Sequence, residues 1–345
     1  MSSHAIAFAP GRVNLIGEHT DYNLGLALPF AIAEGVTVEA DAIGARRIEA
    51  TALDLDGEHD AFELDRVTRA GGWRAFVRGA AAELERAGVR LRGASLRIRG
   101  EVPRGAGLSS SAALEVALVL ALLAIADDPG PDRLALAQLC SRIENEWVGA
   151  RTGLLDQLAS LFGEHDRAMR IDFRSLDVRP VTLELGGHTL VTLDSGERHT
   201  HASSGYNERR AECARACELL GVASLREARL GDADRLPDPL ALRVRHVITE
   251  NARVDAAVTA LDRADFSELG RLLDVSHASL RDCYAVSTPA VEDAIARLRS
   301  AGALGARIVG GGFGGHVLGL LPPGARAPED AREVRPGGGA RLLER

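Results

Sequence analysis

The chain of 345 residues contains no lysine; its 41 basic residues are all arginine. That absence excludes several chemistries. A Walker-type P-loop needs its lysine on the phosphates, a protein-kinase site needs its strand lysine, and a Schiff-base enzyme needs an amine. Any phosphate must therefore be met by backbone amides, a metal or arginine. Basic residues are also outnumbered by 49 acidic ones, for a net charge of −8, which argues against a nucleic-acid scaffold. Cysteine is scarce. Cys140, Cys213, Cys217 and Cys283 are too few for a disulfide scaffold in a chain of this length. Cys213 and Cys217 share a helix face, but no second Cys or His pair is spaced to complete a metal site, so the thiols read as structural. The longest apolar run, Val116–Ala126, falls short of the roughly 18 residues of a membrane span. The opening MSSHAIAFAPGRV has neither the basic nor the apolar part of a secretory leader. A cytoplasmic, reducing location is expected.

What is present is an ordinary globular mixture, 46% hydrophobic and 26% charged. The length exceeds the roughly 250–300 residues at which one core stops growing, so two domains are expected. Strand patterning covers 26–32, 36–42 and 95–102. Helices are expected over 73–87, 112–126 and 133–146, and strands over 168–173 and 189–194. Helices at 206–220, 243–261, 266–282 and 289–300 follow, then strands at 306–309 and 316–321. The Pro-, Gly- and Arg-rich stretch 322–345 is expected to be loosely ordered. The rhythm predicts two α+β halves meeting near residues 175–190.

Four segments could carry chemistry. Residues 102–113, VPRGAGLSSSAA, place glycines and three hydroxyls where a helix starts. Its unpaired N–H groups and dipole make an anion site, although Ser can equally cap a core helix. Gly310–Gly315, GGGFGG, contains the dinucleotide spacing, but a strand rather than a helix follows it. Close approach to a ligand or another loop is one reason for so much glycine, and a plain hairpin turn is the other. Residues 9–23, APGRVNLIGEHTDYN, crowd Arg, Glu, His, Asp and Tyr as a sugar-binding or general-base site does, or as a solvated loop does. Asp156, in Gly153-Leu-Leu-Asp156-Gln157 after Glu144 and Glu146, is either a buried functional carboxylate or a helix cap.

In this order the segments resemble the galactokinases of the GHMP kinase family. Residues 9–32 are similar to the galactokinase signature, 102–113 to the ATP phosphate loop and 305–317 to the third GHMP motif. Residues 144–172 resemble the stretch holding the catalytic Asp, and 203–213, 243–251 and 276–284 resemble further galactokinase segments. The similarity runs over about residues 5–320. It implies an α+β, two-domain GHMP kinase fold. An N-terminal domain like the second domain of ribosomal protein S5 would span 1–180, a ferredoxin-like C-terminal domain 181–345, and the active site would lie between them. It implies ATP-dependent phosphorylation of the C1 hydroxyl of α-D-galactose, the first step of galactose use by the Leloir pathway, with Mg²⁺. Arg12 and Asp156 correspond to the catalytic pair. Arg12, Glu18, His19, Asp21, Gly153, Asp156 and Tyr206 correspond to sugar contacts. Pro103, Gly105, Ala106, Gly107, Leu108, Ser109, Ser110 and Ser111 correspond to the phosphate loop, and Trp73 to a Trp beside the nucleotide. Ser110 or Ser111, with Glu144, corresponds to the Mg²⁺ ligands. The implied partners are galactose and MgATP, with no nucleic acid and no membrane, for a monomer. A kinase of N-acetylgalactosamine, galacturonic acid or arabinose is the alternative enzyme, and a weakly catalytic galactose sensor the alternative binder; Arg12, Ser111 and Asp156 favour an enzyme. Leu24 stands where Gly is common in the family, His316 where Cys is common, and Cys283 where Asp is common.

Overall fold

The computed structural model describes residues 3–102, 107–150, 152–197 and 202–345, with side chains of the last segment from residue 205. β1 (His4–Asn14), β2 (Leu26–Ala27), β3 (Pro29–Ala42), β4 (Arg47–Ala52) and β5 (Glu58–Glu63) precede helix α1 (Trp73–Arg86). β6 (Ala94–Gly100), α2 (Ser110–Ala126), α3 (Arg133–Arg142) and α4 (Leu155–Phe162) follow, then β7 (Arg167–Asp172) and β8 (Asp177–Thr182). β9 (Thr189–Asp194) leads into α5 (Ala202–Leu220), α6 (Leu240–Asp262), α7 (Phe266–Asp282) and α8 (Pro289–Ser300). β10 (Gly305–Ile308), β11 (His316–Leu321), β12 (Arg332–Glu333) and β13 (Arg341–Glu344) complete the chain. Among the described residues three sheets result, ordered β13-β1-β3-β6-β4-β5, β10-β11-β9-β12 and β2-β7-β8. β8 and β9 belong to different sheets.

Local chemistry explains the elements that place the site. α2 is apolar on nearly every face and is buried against β1 and β3, as a helix without a polar stripe must be. β1 is bulged between Pro10 and Arg12. At Gly11 an added Cβ would lie 2.6 Å from the Leu108 carbonyl oxygen, so glycine permits the approach and the bulge re-aims Arg12. The helix expected over 133–146 stops at Arg142. A π-helical turn, Ile143–Val148, takes over and carries the buried Glu144; such widened turns concentrate at functional sites.

The tail is not loosely ordered. β12 pairs with β9, and β13 with β1, Ile6 lying opposite Glu344. The Gly337 and Gly339 amides each donate to a backbone carbonyl, of Ala31 and Gly163, at 2.7 Å. Glycines that read as disorder instead let the chain lie against β3, where a Cβ on Gly337 would meet the Ile32 oxygen at 2.6 Å. The returning strand satisfies backbone groups that β1 would otherwise expose. A shared core joins the halves. Val13, Leu28 and Leu108 pack in one buried cluster with Val254, Leu273 and Leu318.

Candidate active site

A cavity of about 360 Å³ opens where β1, the N-terminus of α2, the first turn of α4, α5 and the Gly310–Gly312 backbone converge. Arg12 leaves the β1 bulge with its amide donating to Leu108 O at 3.0 Å. Its guanidinium donates from Nε to Asp156 Oδ1 at 2.8 Å, places Nη2 2.7 Å from the same oxygen, and donates from Nη1 to the Gly107 carbonyl. Burial opposes the Arg12 charge, yet Asp156, with Glu18 behind it, holds the guanidinium above its ordinary range. Asp156 does not cap its helix. α4 has no side-chain cap, and the second Asp156 oxygen accepts from the Ser109 hydroxyl.

The loop after β1 supplies the other polar wall. Glu18 Oε1 accepts from the Gly310 amide at 2.8 Å and lies 3.2 Å from Nη2 of Arg307. Arg307 is fully buried and also donates to the Asn14 and Leu15 carbonyls. Burial pushes His19 down to about 3, so the ring is neutral. Its Nε2–H then donates to Gly311 O at 3.2 Å, and Nδ1 accepts from the Tyr22 hydroxyl at 2.8 Å. Burial pushes Asp21 up to about 6; the Tyr22 amide opposes the shift and the Asp156 charge adds to it. Gly153 is dictated by Asp21, because a Cβ there would lie 2.0 Å from Asp21 Oδ2. Tyr206 closes this side, its ring 5.2 Å from His19 and 5.4 Å from Tyr22.

Glu144 Oε1 accepts from Ser111 Oγ at 2.9 Å, and Oε2 from Thr152 Oγ1 at 2.7 Å and Gln157 Nε2 at 2.9 Å. Burial, reinforced by the Asp156 charge, raises the Glu144 carboxyl above its usual range. Behind it Gln157 also donates to the buried Glu115 at 3.2 Å. Ser110 and Ser111 line a second, wider cavity of about 800 Å³ with Trp73, Phe76, Leu55 and Ile98. Trp73 Nε1 donates to Glu58 there at 2.9 Å.

The structure therefore brings Arg12, Glu18, His19, Asp21, Gly107–Ser111, Glu144, Gly153, Asp156 and Tyr206 around one cavity and Trp73 into its neighbour. Pro103, Gly105 and Ala106 lie outside the described residues. The Gly310–Gly315 run is not a plain hairpin turn, since its backbone bonds Glu18 and His19 from the other half. Sequence reasoning missed Arg307, Thr152, Gln157 and Glu115, single residues in ordinary strand, loop and helix contexts. Leu24 adopts φ 56°, the left-handed region that explains glycine's frequency there. Cys283 is engaged through its backbone carbonyl, which accepts from Arg243, so that contact does not depend on its side chain.

Family models match along the chain: the GHMP kinases N terminal domain at residues 75–164, the galactokinase galactose-binding signature at 2–41 and the GHMP kinases C terminal at 257–338. A galactokinase of Mycobacterium tuberculosis is 45% identical over 334 residues, covering 95% of this chain and 91% of that one. The chain belongs to the galactokinases of the GHMP kinase family. A second galactokinase, from Thermotoga petrophila, is 40% identical over 318 residues, covering 92% of this chain and 89% of that one. Lactococcus lactis galactokinase, solved with galactose, superposes with TM-score 0.92 at 32% identity over 99% of this chain and 96% of that one. Methanococcus jannaschii mevalonate kinase, at 17% identity and TM-score 0.69 over 98% and 99% of the chains, shares the GHMP fold.

Proposed function

We propose that the protein transfers the γ-phosphoryl group of ATP to the C1 hydroxyl of α-D-galactose, releasing ADP and galactose 1-phosphate. The observation that carries this reading is the wall common to the two cavities. Ser110 and Ser111 border both the carboxylate-rich cavity and the wider one beside Trp73. The adenine is assigned to the wider cavity, the triphosphate to the α2 N-terminus, where unpaired N–H groups and the helix dipole favour anions, and the sugar to Glu18, His19, Asp21, Gly153 and Tyr206. The γ-phosphorus then lies between nucleophile and nucleotide.

Asp156 is the proposed base. It accepts the C1 hydroxyl proton as the bond to phosphorus forms. Arg12 stays protonated and stabilises charge on the transferring group while holding Asp156. Glu144 and Ser111 suit a divalent cation: both offer hard oxygen ligands, and the carboxylate is buried with three neutral hydrogen-bond donors. A bound Mg²⁺ would neutralise triphosphate charge that a chain without lysine otherwise meets with arginine and backbone amides.

The division into residues 1–180 and 181–345 is proposed on the change of sheet between β8 and β9, the boundary falling near the end of β8, with β13 the exception that returns to the first sheet. A cytoplasmic site of action is proposed on the four free cysteines. The deciding experiment is turnover with ATP, Mg²⁺ and galactose, read as ADP release and galactose 1-phosphate. Galactose binding without ADP release would identify a sensor and overturn the reading.

A further inference from the structure

The sequence offers three consecutive serines at the start of α2, and the structure separates the first from the other two. Ser109 is the N-cap of α2, where a serine ordinarily turns its oxygen back onto the helix's free amides. It makes no such bond. Its backbone sits at φ 65°, ψ 42°, the left-handed region that a residue with a Cβ rarely enters. That twist carries the hydroxyl away from the helix, and Oγ donates to Asp156 Oδ2, while Arg12 takes Oδ1. The two preceding residues act on the same pair. Leu108 O accepts the Arg12 amide, and Gly107 O accepts Arg12 Nη1. Three successive residues of the expected phosphate loop are thus bonded to Arg12 and Asp156, with the Ser109 side chain buried among them.

We infer that Ser109 is a positioning residue for the proposed base, its hydroxyl orienting Asp156 toward the sugar instead of binding the ATP phosphates. A serine hydroxyl has one proton to donate. Given to Asp156, it is not available to a phosphate oxygen, so Ser110 and the α2 amides are left for the nucleotide, Ser111 giving its proton to Glu144. With Arg12 on one carboxylate oxygen and Ser109 on the other, rotation of the carboxylate is blocked and its remaining lone pairs keep one direction. Left-handed backbone at a residue other than glycine is the strain that functional sites hold in place through their surroundings. The inference rests on the reading of Asp156 as the base.

The test uses Ser109→Ala and Ser109→Gly in the full chain, assayed with galactose and MgATP; glycine suits the left-handed backbone and keeps the test valid should alanine impair folding. Both variants are expected to lose about tenfold or more in kcat, the effect of removing a hydrogen bond to a charged group. KM for ATP should stay within about twofold, because nucleotide binding is untouched. Ser109→Ala placed on Asp156→Asn should cost less than about twofold further, since the two act as a unit. A rise in the ATP KM with kcat retained would hand the hydroxyl to the phosphates and overturn the inference. So would full activity in both variants, or independent, multiplying losses in the double variant. If Asp156→Asn alone lowers kcat steeply while Ser109→Ala does not, the role of Ser109 fails and the base stands. If Asp156→Asn keeps wild-type kcat, both fall together.

Discussion

The two cavities meet at the N-terminus of α2 yet are held together differently. In the smaller one most of the charged side chains are bonded to another group. Arg12 holds Asp156, Gly310 and Arg307 hold Glu18, and Tyr22 and Gly311 hold His19. The wider one is lined by Val36, Ala52, Leu55, Phe76, Ile98 and Leu114 together with the charged Asp54, Glu58 and Arg74. The contrast suits two kinds of recognition. Telling one hydroxyl orientation from another needs fixed polar groups that are left unpaired by the wrong sugar, whereas a flat base is accepted by apolar walls of fitting shape. Substitutions in the first cavity should therefore damage chemistry and selectivity, and those around the second should weaken nucleotide binding.

The largest effect is expected at Asp156. Asp156→Asn keeps shape and hydrogen bonding but removes the charge, and kcat should fall by ~10²–10⁴, the range for losing a general base. Galactose binding, measured by calorimetry, should persist. More than about a tenth of wild-type kcat would assign Asp156 to binding and erase the proposed contrast.

Selectivity comes next. Galactose should be preferred over glucose by at least ~100-fold in kcat/KM, about 2.7 kcal/mol at roughly 1.36 per decade, and Asp21→Ala should collapse that ratio. Because burial lifts Asp21 to about 6, its charged form is lost as pH drops through that value. The kcat/KM for galactose should fall with it, and Asp21→Asn should flatten that limb of the profile. An unchanged profile in Asp21→Asn would remove the residue from the sugar site.

Smaller changes are expected on the nucleotide side. Gly107 has φ 69°, and a Cβ there would stand 3.2 Å from Val309 O. Gly107→Val should raise the ATP KM by about tenfold and, because a β-branched residue is strained in that region, lower the melting temperature by a few degrees, about the effect of 1–2 kcal/mol. An unaltered ATP KM would leave the loop as structure only. Trp73→Ala should have the least effect, raising the ATP KM about threefold as an aromatic wall is lost, with kcat and sugar selectivity unchanged. A selectivity change there would break the separation of the two cavities.

Much of this was legible before folding because its causes are local. The apolar faces of α2, the helix beginning at Pro289 and the alternation in β6 declare themselves within a few residues. The tail did not. Gly337 and Gly339 look like disorder in isolation, and only the strands they cross show that glycine is there for close approach. The end of α3 was misplaced because the widened turn around Glu144 leaves no periodic signature in six residues. Within the site, residue types marked the segment holding Arg12 and Asp21 but left Asp156 open as a helix cap, and it was the resemblance to galactokinases that paired Arg12 with Asp156; Arg307 and Gln157 carried no signal of their own, and their importance lies in what they touch.

The sequence by itself excluded lysine chemistry, because an absent side chain needs no coordinates, and it marked the glycine and hydroxyl loops, because backbone freedom and hydroxyl chemistry are properties of single residues. The tertiary structure decided which atoms meet. Arg12 finds Asp156 across 144 positions, and Glu18 finds the Gly310 amide across 292. It also decided that Ser109 turns from its helix to a carboxylate. A hydrogen bond depends on about 3 Å of separation and on angle, and neither is set until sheets and helices distant in the chain have packed around a common core.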